Sequence, residues 1–495
     1  MSEFRKLLQH SSHYLTGRVA AIAVGFVSFP LFTQMMSVAD YGILNLAQRV
    51  GVFLTGVGKL GLQHTLMRQY EERSKEPEGL RALVSTLMLG NLLLLLPVLA
   101  VYCAVVLVLQ GRSLSSELTH PLLAVALLGS VRVVQSMVFA LLRMEERTKL
   151  FNMLDVGNRI LTLVAVVALF LLWTKTPTAF LIGAAAAEGL LLAGTWFFLM
   201  RRDLVGWRYF KSPLLRESMV YSVPMLGYEL SMVLLGSSDR PLIQYFLGSQ
   251  DLGYYAAAIS LATYIGDALQ SPLNLALFPI CVRIFNEQGE QATAQFLNRI
   301  VVYYAAASVA LVAATSASSR DILVFLSGEK YLPAAPLLAP LVAGTMIYLA
   351  HTLFSIGLLL RKKPVVMARV VFFSFLCKLA LSLPLLPWLG LRGAVVATFV
   401  GYLVLLIWMW KSGRQCLEYR FPLLVAVKLI LGGAVAMAAG WFVPEVGPRL
   451  LTITVRSLVC VAVFGGILLG IEKEFRSLAK WIRDRIMERS PTPVK

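Results

Sequence analysis

Arg132, Gln135 and Ser136 fall three and four residues apart in an otherwise apolar run, so one helix face carries a guanidinium, an amide and a hydroxyl. A guanidinium donates in a planar fork and suits a pyrophosphate or an acidic sugar. Glu188 stands at similar depth in another apolar run, and the alternative for both is a structural Arg132–Glu188 pair. Glu229, Gly236 and Arg240 share a stripe at spacings of seven and eleven, which points Arg240 into the same cavity. Asp239 lies about 100° further round that helix and reads as a gating group or as half of a structural Asp239–Arg240 pair. Arg49, one turn after Asn45, reads as cavity-lining, with Lys59 further along the same run. Arg18 sits near the end of the first apolar run and either snorkels to the surface or, since it and Glu229 stand 211 residues apart on equivalent repeats, latches with Glu229 or receives an anionic ligand there. Asp267 stands near the centre of another run. A carboxylate in an apolar medium can hold a proton, so Asp267, Glu188 and Glu229 are candidates for ion coupling. Asp155 and Arg159, four apart on one helix, neutralise each other. Lys378 is mid-run and unassigned.

The elements that position these groups are the apolar blocks themselves. Of 495 residues, 58% are hydrophobic, against about half in soluble domains. The blocks run to about 20 residues or more, enough to cross a hydrocarbon core about 30 Å thick. Backbone polar groups in lipid must be satisfied internally, which makes each block a helix. Fourteen spans are expected: 14–36, 41–66, 82–109, 121–143, 150–172, 178–200, 218–247, 253–280, 297–317, 333–360, 364–387, 390–410, 422–443 and 450–471. The first contains Arg18 and closes on no small-residue cleavage site, so it reads as an uncleaved span. Short loops leave no room for a separate soluble domain.

The net charge of +18 does not mark a nucleic-acid surface, because it is gathered in the loops on one side of the membrane. The opposite loops hold only Arg112, Lys175, Arg320, Lys330, Arg392 and Arg449. That asymmetry puts both termini in the cytoplasm and the chain in the cell inner membrane. The five cysteines form no CxxC pair and the five histidines are dispersed. No metal site, disulfide framework or cofactor is expected from them.

The chain also repeats itself. At an offset of 211, PLFTQMMSVADYG (30–42) meets PLIQYFLGSQDLG (241–253), pairing Pro30 with Pro241, Asp40 with Asp251 and Gly42 with Gly253. At an offset of 210, LIGAAAAEG (181–189) meets LRGAVVATF (391–399), pairing Gly183 with Gly393. Six spans separate equivalent helices, so the halves are parallel, related by an axis along the membrane normal. The fold class is an all-α integral membrane protein of about fourteen transmembrane helices, with two six-helix lobes in a parallel pseudo-two-fold repeat and an extra C-terminal helix pair. The divisions are 1–212, 213–411, 412–471 for the extra pair, and 472–495 for a basic amphipathic tail on the cytoplasmic surface. The substrate path of such a fold lies between lobes that rock.

The opening SSHYLTGRVAAIAVGFVSFPLFTQMMSVADYGILNL, then KLGLQHTLMRQYEE, then YSVPMLGYELSMVLLGSSDRPLIQYFLGSQDLGYYAAA are spaced landmarks. In them, over about residues 1–411, the chain resembles the polysaccharide-transporter flippases of the MOP superfamily, the O-antigen and exopolysaccharide type. The resemblance implies a two-lobed bundle with alternating access. It implies a cargo of undecaprenyl-pyrophosphate-linked oligosaccharide (an O-antigen, exopolysaccharide or capsule repeat unit) moved from the cytoplasmic to the periplasmic leaflet. The implied partners are that cargo, membrane lipids, a proton or sodium ion, and a polysaccharide polymerase and export complex.

Two other classes compete. A multidrug antiporter of the same superfamily carries organic cations and favours carboxylates in its cavity, whereas here cations outnumber acids inside the spans. A membrane glycan polymerase, ligase or acyltransferase needs a sizeable loop or a paired acid, base and nucleophile, and neither is visible. The chain is therefore read as a transporter and not an enzyme.

Overall fold

Helix formation follows the apolar blocks closely, because nothing else satisfies their backbone in lipid. The structure, a computed structural model, describes residues 23–112, 114–418 and 423–471. Arg18, the start of the first span and the tail 472–495 lie outside them. Among the described residues the only β pairing is an isolated bridge between Gln110 and Leu114.

The first lobe comprises α1 (Ala23–Met35), α2 (Val38–Lys59), the short α3 (Leu62–Arg73), α4 (Pro77–Leu109), α5 (Ser116–Met144), α6 (Thr148–Leu172) and α7 (Pro177–Arg201). The second comprises α8 (Ser212–Ser237), its continuation α9 (Asp239–Leu247), α10 (Ser249–Ser327), α11 (Ala335–Leu360), α12 (Pro364–Leu389) and α13 (Leu391–Gly413). The extra pair is α14 (Leu423–Trp441) and α15 (Arg449–Ile471).

Among the described residues, ten helices are long and apolar enough to cross a membrane, and the pair Ser212–Val223 and Met225–Leu247, bent by 44° within α8, makes an eleventh. One of the ten is α10, whose 79 residues would reach about 120 Å if straight. It holds two spans, parted at Gly289, where φ is 83° and ψ −173°, a conformation that only glycine adopts freely. The described part of α1 and the charge-bearing α2 occupy the first two expected spans without being among these. The expected second span, 41–66, is divided: Leu60 (φ 51°) and Gly61 (φ 70°) end α2 and start α3 in a new direction. Local signals set the other helix starts. Ser37 caps α2 by accepting from the Asp40 N–H. Proline opens α4, α7 and α12, where its missing N–H costs nothing.

The hydrophobic core is divided unequally along the membrane normal. Toward the end opposite the basic loops, here the far end, one core spans both lobes and joins Phe29, Tyr41 and Leu44 to Leu252, Tyr255 and Leu338. Toward the basic end there are two cores. One lies in the first lobe around Leu66, Leu87 and Leu141, the other in the second around Leu235, Phe354 and Met409. The lobes are thus fused by packing at the far end and separate at the basic end. The repeat is visible in the packing: Gly183 lets α7 approach the Val166 backbone of α6, and Gly393 lets α13 approach the Leu385 carbonyl of α12. The extra pair packs on the second arm of α10 through Ala306, Ala313, Leu429, Ala436 and Phe464, and an Arg456–Asp321 ion pair of 2.7 Å joins them.

Candidate functional site

A cavity of about 580 Å³ lies between the lobes. Its polar wall comes from two helices of the first lobe. From α5 come Arg132, Gln135, Ser136 and Phe139, and from α6 come Asp155, Asn158, Arg159 and Thr162. Each set follows the i, i+3, i+4, i+7 spacing of one helix face. α2 adds Thr55 and Lys59, α7 adds Glu188, and the second lobe adds only Tyr264 and Asp267 from α10.

The sequence-predicted Arg132, Gln135, Glu188 and Asp267 are brought together here. Arg132 is held bidentately: Nε donates to Glu188 Oε2 at 2.9 Å and Nη2 to Oε1 at 2.7 Å. Glu188 is almost fully buried, while about a third (32%) of the Arg132 side chain stays exposed. Glu188 therefore fixes one edge of the guanidinium and leaves the Nη1 edge to the cavity. The expected Asp155–Arg159 pair is present but loose, at 3.5 Å. The cationic excess inferred from the spans is not found in the cavity. Its described lining has three cations (Lys59, Arg132, Arg159) and three acids (Asp155, Glu188, Asp267).

The missing cations lie elsewhere. Arg240, expected to point into the cavity, is instead buried where α9 of the second lobe packs on α2 of the first. Its Nη1 donates to Asp239 Oδ1 and to the Gly236 carbonyl, both at 2.7 Å, and its Nε to Asn45 Oδ1 at 3.2 Å. Lys378, unassigned from sequence, donates to Asp239 Oδ2 at 3.2 Å and is fully buried. The Tyr255 hydroxyl also bonds Asp239. Asp239 is thus the acid of a buried node rather than a group open to the cavity. Arg49 lies within electrostatic reach of Arg240 and Asp239, beside this node and not on the cavity lining.

At the basic end, Glu229 crosses between the lobes. Lys59 Nζ donates to its Oε1 at 3.1 Å and Gln63 Nε2 to its Oε2 at 3.0 Å, with His64 Nε2 at 3.7 Å. The sequence reading offered Arg18 as the partner of Glu229. Arg18 is outside the described residues, and Lys59 supplies the charge. Thr65 and Ser222 bond across the same seam at 2.7 Å. At the far end the repeat partners Gly42 and Gly253 meet: a methyl on Gly42 would strike the Ser249 carbonyl and the Gly253 backbone, and one on Gly253 the Val38 carbonyl. Lys330, before α11, donates to the carbonyls of Gln34 (3.2 Å) and Met36 (2.5 Å) at the end of α1.

Sequence reasoning missed the α6 face, because Asp155 and Arg159 were set aside as a neutral pair. The signal was present: four polar residues at helical spacing in an apolar span. Among the described residues, no group of three or more His, Cys, Asp or Glu side chains is placed to hold a metal ion.

Residues 7–285 match the model of a family described as polysaccharide biosynthesis protein. An uncharacterized membrane protein of Methanocaldococcus jannaschii is 24% identical over 267 residues, 53% of this chain and 51% of that protein. The chain therefore spans about half the length of this curated relative. Similar solved structures include the lipid II flippase MurJ in an inward closed conformation, with a TM-score of 0.74 at 13% identity over 95% of this chain and 100% of that one. They also include the inward-facing conformation of a multidrug resistance MATE family transporter of the MOP superfamily, with a TM-score of 0.61 at 16% identity over 79% and 97%. At such identities the likeness is one of fold.

Proposed function

The chain belongs to the polysaccharide biosynthesis protein family, and from that premise we propose that it is a flippase for an undecaprenyl-pyrophosphate-linked oligosaccharide. The resemblance to MOP-superfamily polysaccharide transporters holds for family and fold, and the chain is a multi-span membrane protein. The cargo, its direction and the site residues are our reading. The observation that carries it is the Arg132 guanidinium, anchored by Glu188 and presenting its free edge to a cavity between two lobes. A fork so oriented can take two phosphate oxygens without reorganising.

In this reading the chain lies in the inner membrane with both termini cytoplasmic, and the lobes are residues 1–212 and 213–411. The conformation is closed at the periplasmic end by packing and latched at the cytoplasmic end by Glu229. Breaking the latch admits the lipid-linked head, and parting the far-end core releases it. Asp267, on the second lobe's side of the cavity, is the proposed coupling group for a proton or sodium ion.

The test is a gene deletion scored for surface polysaccharide and for lipid-linked oligosaccharide in the inner membrane. Loss of the first with build-up of the second, restored by wild type and less than tenth as well by Arg132→Ala (about 10-fold or more, the cost of a charge-assisted contact), is the expected result. Unchanged polysaccharide with new sensitivity to cationic dyes would instead favour a multidrug antiporter. Shortened glycan chains without lipid-linked build-up would favour a polymerase.

A further inference from the structure

Four side chains on the cavity wall keep a polar atom that is out of solvent and bonded to nothing in the protein: Thr55 Oγ1, Gln135 Nε2, Asn158 Oδ1 and Thr162 Oγ1. Each is a cost of folding unless something bonds it in use. They are not scattered. Gln135 is on the α5 face with Arg132, and Asn158 and Thr162 are on the α6 face with Asp155 and Arg159. Their chemistry is mixed: an amide donor, an amide acceptor and two hydroxyls that do either. Phe139 and Tyr264 line the same cavity with rings.

We infer that this α5–α6 wall is a carbohydrate subsite that reads the hydroxyls of the sugars beyond the first, separate in task from Arg132. The inference rests on the flippase reading above and deepens it. A sugar hydroxyl donates and accepts at once, so it can satisfy an orphaned amide N–H and an orphaned carbonyl oxygen of neighbouring residues. An organic cation brings donors at most, which could answer Asn158 but would leave the Gln135 N–H unanswered. A phosphate brings only acceptors and would answer Gln135 alone among the amides. The matched charges of the lining, three of each sign among the described residues, suit a sugar portion without net charge. Nearly all of the wall belongs to the first lobe, so the glycan travels with that lobe while the second moves past it.

The experiment uses the full chain in its producing cells. One background makes the complete lipid-linked repeat unit, and another is blocked after the first sugar. The share of carrier-linked sugar reaching the outer leaflet is measured with a membrane-impermeant glycosidase. Asn158→Leu and Thr162→Val keep side-chain volume and remove the polar atom. Each is expected to lower the preference for the complete unit over the one-sugar carrier by about tenfold, the usual cost of one hydrogen bond to a built site. Thr162→Ser, which keeps the hydroxyl, is expected to retain the wild-type preference. A variant that slows both cargos alike, leaving the ratio unchanged, would assign the wall a structural role and overturn the subsite. Wild type that moves neither cargo would overturn the flippase reading itself, and the subsite with it.

Discussion

Asp239 is one acid facing two buried cations, Arg240 and Lys378. The three are not equivalent. Removing Lys378 leaves a balanced pair, whereas removing the acid leaves two uncompensated cations in an apolar lobe. Asp239→Asn is therefore expected to destabilise the folded protein by about 3–5 kcal/mol, and Lys378→Met by less than about 2 kcal/mol. Thermal unfolding in detergent with the node variants side by side gives the order, and a larger loss for Lys378→Met would refute this account. The same distinction applies to Arg132 and Glu188, which face the cavity. There Glu188→Gln keeps the shape of the pair and removes its charge, so transport should fall while the unfolding midpoint moves little.

At the scale of elements, the end of α2 and the start of α10 act as opposite gates. The break at Leu60 and Gly61 turns α3 away, and it sets Lys59 and Gln63 around Glu229 of α8. The Lys59 and Glu229 side chains are only 18% and 26% exposed, so the contact is worth more than a surface pair, on the order of 1 kcal/mol. Lys59→Glu or Glu229→Lys alone should open the basic end and lower transport, and the double swap should recover most of it. Lack of recovery would remove the latch. At the other gate, Gly253→Ala sets a methyl against a main-chain carbonyl that cannot move aside. Overpacking of this kind costs about 1–3 kcal/mol, which shifts a two-state balance by about fivefold or more. Spin labels across the far end are expected to report a longer distance in Gly253→Ala, and an unchanged distance would show that the glycine contact does not set the closure.

For the whole molecule, one fused core at the far end and two separate cores at the basic end describe a body that opens toward its basic loops. The proposed orientation, with the basic loops cytoplasmic, is tested by labelling: a cysteine in place of Lys175 should react with an impermeant maleimide in intact cells, and one in place of Lys362 only after the membrane is opened. The reverse pattern would invert the topology and the direction of transport with it. The apolar blocks and the 211-residue offset in the sequence already determine the all-helical fold and the repeat, because lipid leaves the backbone one local solution and a repeat needs only matching landmarks. The helical spacing of Arg132, Gln135 and Ser136 likewise determines a polar face. What the sequence does not contain is which faces meet. Arg240 and Lys378 look as free as Arg132 along the chain, yet they converge on a buried Asp239, while Arg132 stands at the cavity. Lys59 and Gln63 reach Glu229 from either side of two residues with left-handed backbone, Leu60 and Gly61, a meeting with α8 that no spacing along the chain announces. Charge placement depends on contacts between helices far apart in sequence, and only tertiary packing decides which cations are buried in a node and which stand at the cavity.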